Sequence, residues 1–394
     1  MAAIRKRKNG SYEIRVSCGY GVDGKQHNQY RSYYPEPGMT PRQIEREVNK
    51  MAVLFEEECM RGQITSAIKF QRFAEEWFES YAKNTLRSTT YERMLQLTHR
   101  VYPAIGHLRI DKITARHLQG FVNSLAKEGA NEKTGKPLAP KTIRHNLSFI
   151  SDVFSYAVRM DLVSDNPCRK VTIPKGEVKE KPIYTQEEIA QLLTAINGEP
   201  TKYRAFFYLI AYSGFRRSEM LGLEWKDIDL ENNIISIKRT SNYTSERGIY
   251  TDTTKTKRSK RVLKISPYIM GILKELKDEQ DEEALRLGDK WVESDRLLVK
   301  WNGESMNNQT PYGWLKDFCE KNDMPFYGIH SFRHFAASAL ISSGLDVVTV
   351  SGALGHCNSG TTLNVYAHMF QTAQARVAQA MDGAFSFLPQ DTTT

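Results

Sequence analysis

The stretch Pro174-Lys175-Gly176-Glu177-Val178-Lys179-Glu180-Lys181-Pro182 constrains the fold more than any other part of the chain. Proline stands at both ends and charge lies between, which suits an exposed linker rather than a packed element. Directly after it, Thr185-Gln186-Glu187-Glu188 has the form of a capping box, so a new helix and a new domain begin there. A chain of 394 residues is also longer than one core usually supports. Two or three domains are expected.

Upstream of the linker, two periodicities follow one another. Tyr12, Ile14, Val16 and Cys18 alternate with Glu13, Arg15 and Ser17, which is strand spacing, and Asp23-Gly24 supplies a hairpin turn. A second strand runs from Gln26 to Tyr34 with Tyr30, Arg31, Tyr33 and Tyr34, and the ribbon is preceded by Arg5, Lys6, Arg7 and Lys8. A small basic sheet of this kind suits a DNA groove, and equally a solubilising sheet with a basic tail. Thr40-Pro41-Arg42-Gln43 combines an N-cap, a proline at the first helical position and a capping glutamine, so a helix should run to about Arg61 and pack on the sheet. Helical spacing then takes over. Phe73, Ala74, Trp77, Phe78 and Tyr81 form one stripe, and Tyr91, Met94, Leu95, Thr98 and Val101 a second. Leu118, Phe121, Val122 and Leu125 define a third helix, and Ile143, Leu147, Ile150, Val153, Phe154 and Val158 a fourth. These apolar residues read as the core of an all-helical domain.

The formal net charge of +9 and a pI near 9.1 favour a polyanionic partner, although charge alone does not separate nucleic acid from an anionic membrane. The longest apolar stretch, around Phe206 to Tyr212, is too short to span a bilayer, and no apolar run follows the basic start. Cys18, Cys59, Cys168, Cys319 and Cys357 are scattered, without metal-ligand spacing, and fit a reducing cytoplasm. The expectation is a soluble, cytoplasmic protein.

Polar residues of the last half fall in an order that suits cutting DNA without water or metal. Arg216 lies in Gly214-Phe215-Arg216-Arg217-Ser218-Glu219, and His330 and Arg333 lie in Ile329-His330-Ser331-Phe332-Arg333-His334. His356 closes Leu354-Gly355-His356, and Tyr366 ends Leu363-Asn364-Val365-Tyr366. A tyrosine hydroxyl ordinarily titrates near about 10, so it attacks phosphorus only if its proton is removed or the developing charge is stabilised. Arginines do the second job, because the guanidinium grips two non-bridging oxygens and stays charged; Arg216 and Arg333 are the candidates. His330 lies one helical turn from Arg333, which places an acid-base group beside a phosphate anchor. The leaving 5′ oxygen needs a proton, and Lys255, on a hairpin in Thr253-Thr254-Lys255-Thr256-Lys257-Arg258 before a strand from Val262 to Ile265, is the candidate donor. Lys257 competes with it, and a solvated charged turn is the plain alternative. Each motif alone is weak; their joint order carries the argument.

That order, and above all Leu354-Gly355-His356-Cys357-Asn358-Ser359-Gly360-Thr361-Thr362-Leu363-Asn364-Val365-Tyr366, resembles the tyrosine recombinases, or phage-type integrases. The likeness is nearest to the integrases of phages and conjugative transposons. In that family an arginine follows glycine and an apolar residue and precedes an acidic residue by three. Glu219 fills that place, which implies a carboxylate that orients the site; an ordinary solvated helix carboxylate is the alternative. Phe215, in place of the commoner aliphatic residue, and Gly352, inside the helix before His356, are minor departures.

The resemblance implies a small amino-terminal β-sheet with a helix as an arm-type DNA-binding domain (1–66), an all-α core-binding domain (67–173), a linker (174–183) and a mixed, mainly α (α+β) catalytic domain (184–394). It implies that the chain cuts and rejoins DNA through a 3′-phosphotyrosyl intermediate on Tyr366 to integrate or excise a mobile element, with no ATP, cofactor or divalent metal. His356 would hydrogen-bond a phosphate oxygen, a role compatible with capping the preceding helix. Candidate DNA contacts are Arg5, Lys6, Arg7, Lys8, Arg15 and Arg31 in the arm, and Lys141 and Arg144 in the helical domain. Implied partners are double-stranded DNA at crossover and arm sites, accessory excision and DNA-bending proteins, and three further copies of the chain. Residues 371–381, helical with small residues on one face, would dock in trans in that tetramer or else pack on their own domain. A DNA-relaxing topoisomerase of related chemistry and a non-catalytic DNA-binding regulator are the rival readings. The first needs neither arm nor tail, and the second predicts that a key residue is missing.

Overall fold

The computed structural model describes residues 2–20, 26–60, 68–176, 182–253, 260–355 and 360, and divides into two compact units, 1–178 and 179–394. The boundary falls inside the linker.

The first unit opens with a three-stranded antiparallel sheet, β1 (Ala3–Lys6), β2 (Tyr12–Tyr20) and β3 (Gln26–Tyr33), in that spatial order. Part of the basic run expected to precede the ribbon is thus itself a strand: Lys6 stands opposite Tyr12 and Ala3 opposite Arg15. The Asp23-Gly24 turn lies outside the described residues. Ile14 and Val16 are buried against Ala52 and Phe55 of helix α1 (Pro41–Met60), whose start is closed by a reciprocal bond: Thr40 N–H donates to Gln43 Oε1 at 2.8 Å, and Gln43 N–H to Thr40 Oγ1 at 3.4 Å. Side chains opposite one another in an antiparallel pair share a face. Arg31, opposite Ile14, therefore turns towards α1, where it donates to Glu58 at 2.6 Å and lies 4.4 Å over the Phe55 ring. Arg5 and Arg15 take the other face, together with the exposed Tyr30.

A separate core holds the helical part of this unit. Helix α2 (Phe70–Trp77) runs on through a π-turn at Phe78–Ala82, and α3 (Ser88–Val101), α4 (Ala115–Leu125) and α5 (Pro140–Arg159) follow. Phe70, Trp77, Phe149, Phe154 and Leu118 are almost wholly removed from water, each worth about 1.5–3 kcal/mol. Lys141 and Arg144 stay exposed on the first turns of α5.

The second unit begins at the expected capping box: Thr185 N–H donates to Glu188 at 2.8 Å and Glu188 N–H to Thr185 at 3.2 Å, opening α6 (Gln186–Ile196). Helix α7 (Thr201–Ser213) buries Ala205, Phe206, Phe207, Leu209, Ile210 and Ala211, so it is central. Helix α8 (Arg217–Met220) follows, then two small antiparallel sheets: β4 (Ile228–Asp229), β5 (Ile234–Ile237) and β8 (Arg261–Lys264) in one, β6 (Arg239–Thr244) and β7 (Gly248–Thr253) in the other. Helices α9 (Pro267–Leu287), α10 (Thr310–Lys321), α11 (Ile329–Ser342) and α12 (Val347–Leu354) complete the described unit. Phe332 of α11 packs its ring 5.6 Å from Phe207, which fixes the residue next to it, Arg333, against α7.

Candidate active site

Helix α7 ends where Gly214 takes a left-handed conformation (φ 63°) and turns the chain into Phe215-Arg216. A side chain at Gly214 would sit 2.7 Å from a Leu354 methyl, so the glycine serves both the turn and the close approach of α12. Arg216 then caps α8. Its backbone N–H donates to Glu219 Oε2 at 3.0 Å and its Nη1 to Glu219 Oε1 at 2.6 Å, so the short helix holds the arginine in place through its own carboxylate.

Glu219 is 1 % exposed, which rules out the ordinary solvated helix carboxylate. Burial works to raise its carboxyl, but Arg261 and then Arg216 outweigh it and hold it below the usual carboxylate range. Arg261 Nη2 donates to Glu219 Oε2 at 2.9 Å.

The carboxyl end of α12 is where the arginines converge. The last carbonyls of a helix lack intrahelical donors and carry partial negative charge, so cations settle there. Arg261 Nε donates to the Ala353 carbonyl at 2.8 Å, Arg333 Nη2 to Leu354 at 2.7 Å and Arg216 Nη2 to Gly355 at 2.9 Å. Arg333 Nη1 also holds the Gly214 carbonyl at 2.8 Å. Three successive carbonyls thus bind three guanidinium groups, immediately before His356.

The geometry unites Arg216, Glu219 and Arg333 as the sequence leads one to expect, but the two arginines differ in access. The Arg216 side chain is 35 % exposed and Arg333 is 3 % exposed. His330 is exposed on the first turn of α11, its ring edge-on to His334 at 4.9 Å between centroids. It therefore does not share the buried environment of Arg333, although one turn separates them. Lys255, its competitor Lys257, His356, Tyr366 and residues 371–381 lie outside the described residues. Of the strands on either side of Lys255, β7 pairs with β6 and β8 with β5 among the described residues.

Arg261 went unrecognised as a site residue because a lysine- and arginine-rich stretch reads as solvated. Its signal is phase: in β8, Arg261 and Leu263 share the sheltered side while Val262 and Lys264 are exposed. A further buried arginine, Arg296, donates to the Gly222 carbonyl at 2.6 Å and to the Thr251 hydroxyl, lies 3.4 Å from Glu224, and so ties down β7. Glu224 also pairs with Arg239 of β6 at 2.8 Å, and Arg239 with Asp227.

On the helical part of the first unit, burial, and then Arg93, Lys141 and Arg144, hold the His145 imidazole below its ordinary value. Arg93, on α3, thus belongs with the two expected cations in one positive field.

The chain matches the phage integrase family over residues 183–372 and the phage integrase N-terminal SAM-like domain over residues 69–126, together more than half of its length. It is 24 % identical over 380 residues to the ICEBs1 integrase of Bacillus subtilis, covering 96 % of this chain and 99 % of that one. The fold is similar to the Tn1549 transposon integrase in complex with a circular intermediate DNA, with a TM-score of 0.64 at 20 % identity over 79 % of this chain and 99 % of that one. It is also similar to a lambda integrase tetramer bound to a Holliday junction, with a TM-score of 0.54 at 15 % identity over 91 % of this chain and 94 % of that one. The chain belongs to the phage integrase family of tyrosine recombinases. It is a tyrosine-type site-specific recombinase related to the integrases of phages and conjugative transposons, and its activity is the integration or excision of mobile elements, or both. No helix among the described residues is long and apolar enough to cross a membrane.

Proposed function

We propose that Tyr366 is the nucleophile of this recombinase and that Arg216 and Arg333 hold the scissile phosphate. The phenolic oxygen attacks phosphorus, the bond to the 5′ oxygen breaks, and the strand is left joined to the enzyme through its 3′ phosphate. Lys255 gives the leaving oxygen its proton, His330 serves acid-base transfer, His356 hydrogen-bonds a phosphate oxygen and Glu219 orients Arg216. The freed 5′ hydroxyl then attacks the corresponding linkage of a partner duplex and releases the tyrosine, so one phosphodiester is exchanged for another.

The observation that carries this reading is the gathering of Arg216 and Arg333 on the carbonyls of Leu354 and Gly355. Two cations far apart in the chain are held at the helix end that leads into His356, with the Arg216 guanidinium open to an incoming phosphate. Arg333 is buried in the free chain, so its contact requires rearrangement at the site when DNA arrives. The reading continues with the amino-terminal sheet as a binder of accessory arm sites some distance away, and with the helical part of the first unit as the core-site binder, which encloses the crossover site together with the catalytic unit. Residues 371–381 dock on a neighbouring copy in a DNA-bound tetramer, the number of copies found in the lambda integrase tetramer on a Holliday junction, in the cytoplasm and with accessory bending and excision proteins.

The test is incubation of the full chain with nicked DNA carrying its crossover site, followed by denaturing electrophoresis. A protein–DNA adduct is expected, lost in Tyr366→Phe and kept in Tyr312→Phe, a variant of an exposed tyrosine on α10. Strand joining by a protein with phenylalanine at position 366 in every subunit would end the proposal.

A further inference from the structure

We infer that Arg261 is a positioning residue that couples the lysine segment to the tyrosine segment, by holding the Ala353-Leu354-Gly355 turn in the place from which the chain runs on to His356 and Tyr366. The inference rests on the roles proposed above for Lys255, His356 and Tyr366.

Arg261 opens β8, just after the segment that contains Lys255. Among the described residues its single planar group contacts three parts of the catalytic unit. Nε donates to the Ala353 carbonyl at 2.8 Å, Nη2 donates to Glu219 at 2.9 Å, and the guanidinium carbon lies 5.1 Å from the centre of the Phe215 ring. Only 7 % of the side chain is exposed, so water competes little for these donors. The turn is shaped around it as well: Gly355 is left-handed (φ 68°), and a side chain there would lie 2.6 Å from Arg261 Nη1.

Charge alone does not explain this arrangement. An ion pair with Glu219 needs one donor, whereas reaching a carboxylate and a helix-end carbonyl together needs two donors fixed in one plane, which lysine does not offer. The clamp joins the strand that follows Lys255, the helix end that precedes His356, and the carboxylate that holds Arg216. Movement of any one is therefore transmitted to the others. Arg261 itself acts through Glu219 and the turn, so it is not counted among the groups that touch the phosphate.

Arg261→Lys separates the two roles, since it keeps a cation opposite Glu219 and gives up the fork. In the full chain this variant should melt within about 6 °C of the parent, because the buried charge stays paired and one hydrogen bond is given up. It should bind crossover-site DNA within about twofold, yet form the covalent adduct at least about tenfold more slowly at saturating nicked DNA, the effect expected when one buried hydrogen bond is removed. Hydrogen exchange of the amides at 353–355 should quicken about tenfold while α7 is unchanged. Parent-like cleavage and exchange overturn the inference. So does slow cleavage with unchanged exchange, because the effect then does not run through the turn, and so does fast exchange with parent-like cleavage. An adduct that survives Tyr366→Phe overturns the nucleophile assignment instead, and the exchange measurement then decides the clamp by itself. Should Arg261→Lys fail to fold, guanidinium ion added to a folded Arg261→Ala protein replaces it: recovery of adduct formation supports the clamp, and no recovery overturns it.

Discussion

Arginine is used under opposite conditions in the two units. In the catalytic unit Arg216, Arg261 and Arg333 are fixed by named acceptors on one helix end, and two of them are almost completely buried. In the first unit Arg5, Arg15, Lys141 and Arg144 are exposed on a sheet face and a helix face. A buried guanidinium acts through direction, because its donors have fixed geometry and little water screens them. An exposed one acts mainly through charge, which is screened within about 8–10 Å at ordinary salt. On the proposed reading, one residue type supplies chemistry in one unit and attraction in the other.

Arginine-to-lysine replacement breaks or upholds that contrast most directly, since it preserves charge and removes the fork. Arg216→Lys should slow covalent-adduct formation by about 10²–10³-fold, the scale seen when one preorganised donor to a transition-state oxygen is removed. Arg15→Lys should leave arm-site affinity within about twofold. Equal effects of the two replacements, measured by single-turnover cleavage and by titration with arm-site DNA, would remove the distinction.

Stability sharpens it next. Glu219→Ala leaves Arg261 buried without its carboxylate and should destabilise the catalytic unit by about 3 kcal/mol in urea unfolding, whereas Arg15→Ala should change stability by less than about 0.5 kcal/mol. The pH dependence has a definite sign. The Glu219 carboxyl is held below its ordinary value in the folded chain, so its contribution is complete above the unfolded value and is lost as pH falls through the folded one. Glu219→Gln should therefore flatten the loss of stability in acid and leave its slope at neutral pH unchanged.

How far the sequence carried each region follows from where the information sits. The Thr185 capping box and the stripes of α2 and α5 are local patterns, and they appear as expected because adjacent residues alone determine them. Arg216 and Glu219 are also local, three residues apart around one short helix. Arg261 is not: its partners are 42 and 92 positions away, and only the folded sheet brings them together. The same applies to Arg31, whose neighbours in sequence suggest a DNA-facing ribbon although the pairing with Ile14 turns it towards Glu58. The exposure of His330 beside a buried Arg333 depends likewise on what α7 covers, which helical spacing does not reveal.

A smaller effect concerns salt. If the exposed cations act through charge, each phosphate that is no longer neutralised lowers the steepness of log affinity against log salt by about 0.9. Arg5→Ala, Arg15→Ala, Lys141→Ala and Arg144→Ala should each weaken binding similarly on cognate and unrelated duplexes and reduce the slope by about one. A change confined to one sequence would mean that the side chain reads a base edge instead.

The smallest expected effect is a proton. In the free chain, burial and the neighbouring Arg93, Lys141 and Arg144 hold His145 below its ordinary value, so it is mostly neutral near pH 7. A DNA phosphate laid against those cations offsets their repulsion and raises the imidazole, so the bound state takes up a proton that the free state lacks. Affinity must then increase as pH falls from neutrality towards the value of the free chain, and level off below it, where both states are protonated. His145→Gln should flatten the profile below neutrality without altering the salt slope in mild alkali. A profile that stays as steep in the variant would assign the proton elsewhere and leave α5 acting through its permanent charges alone.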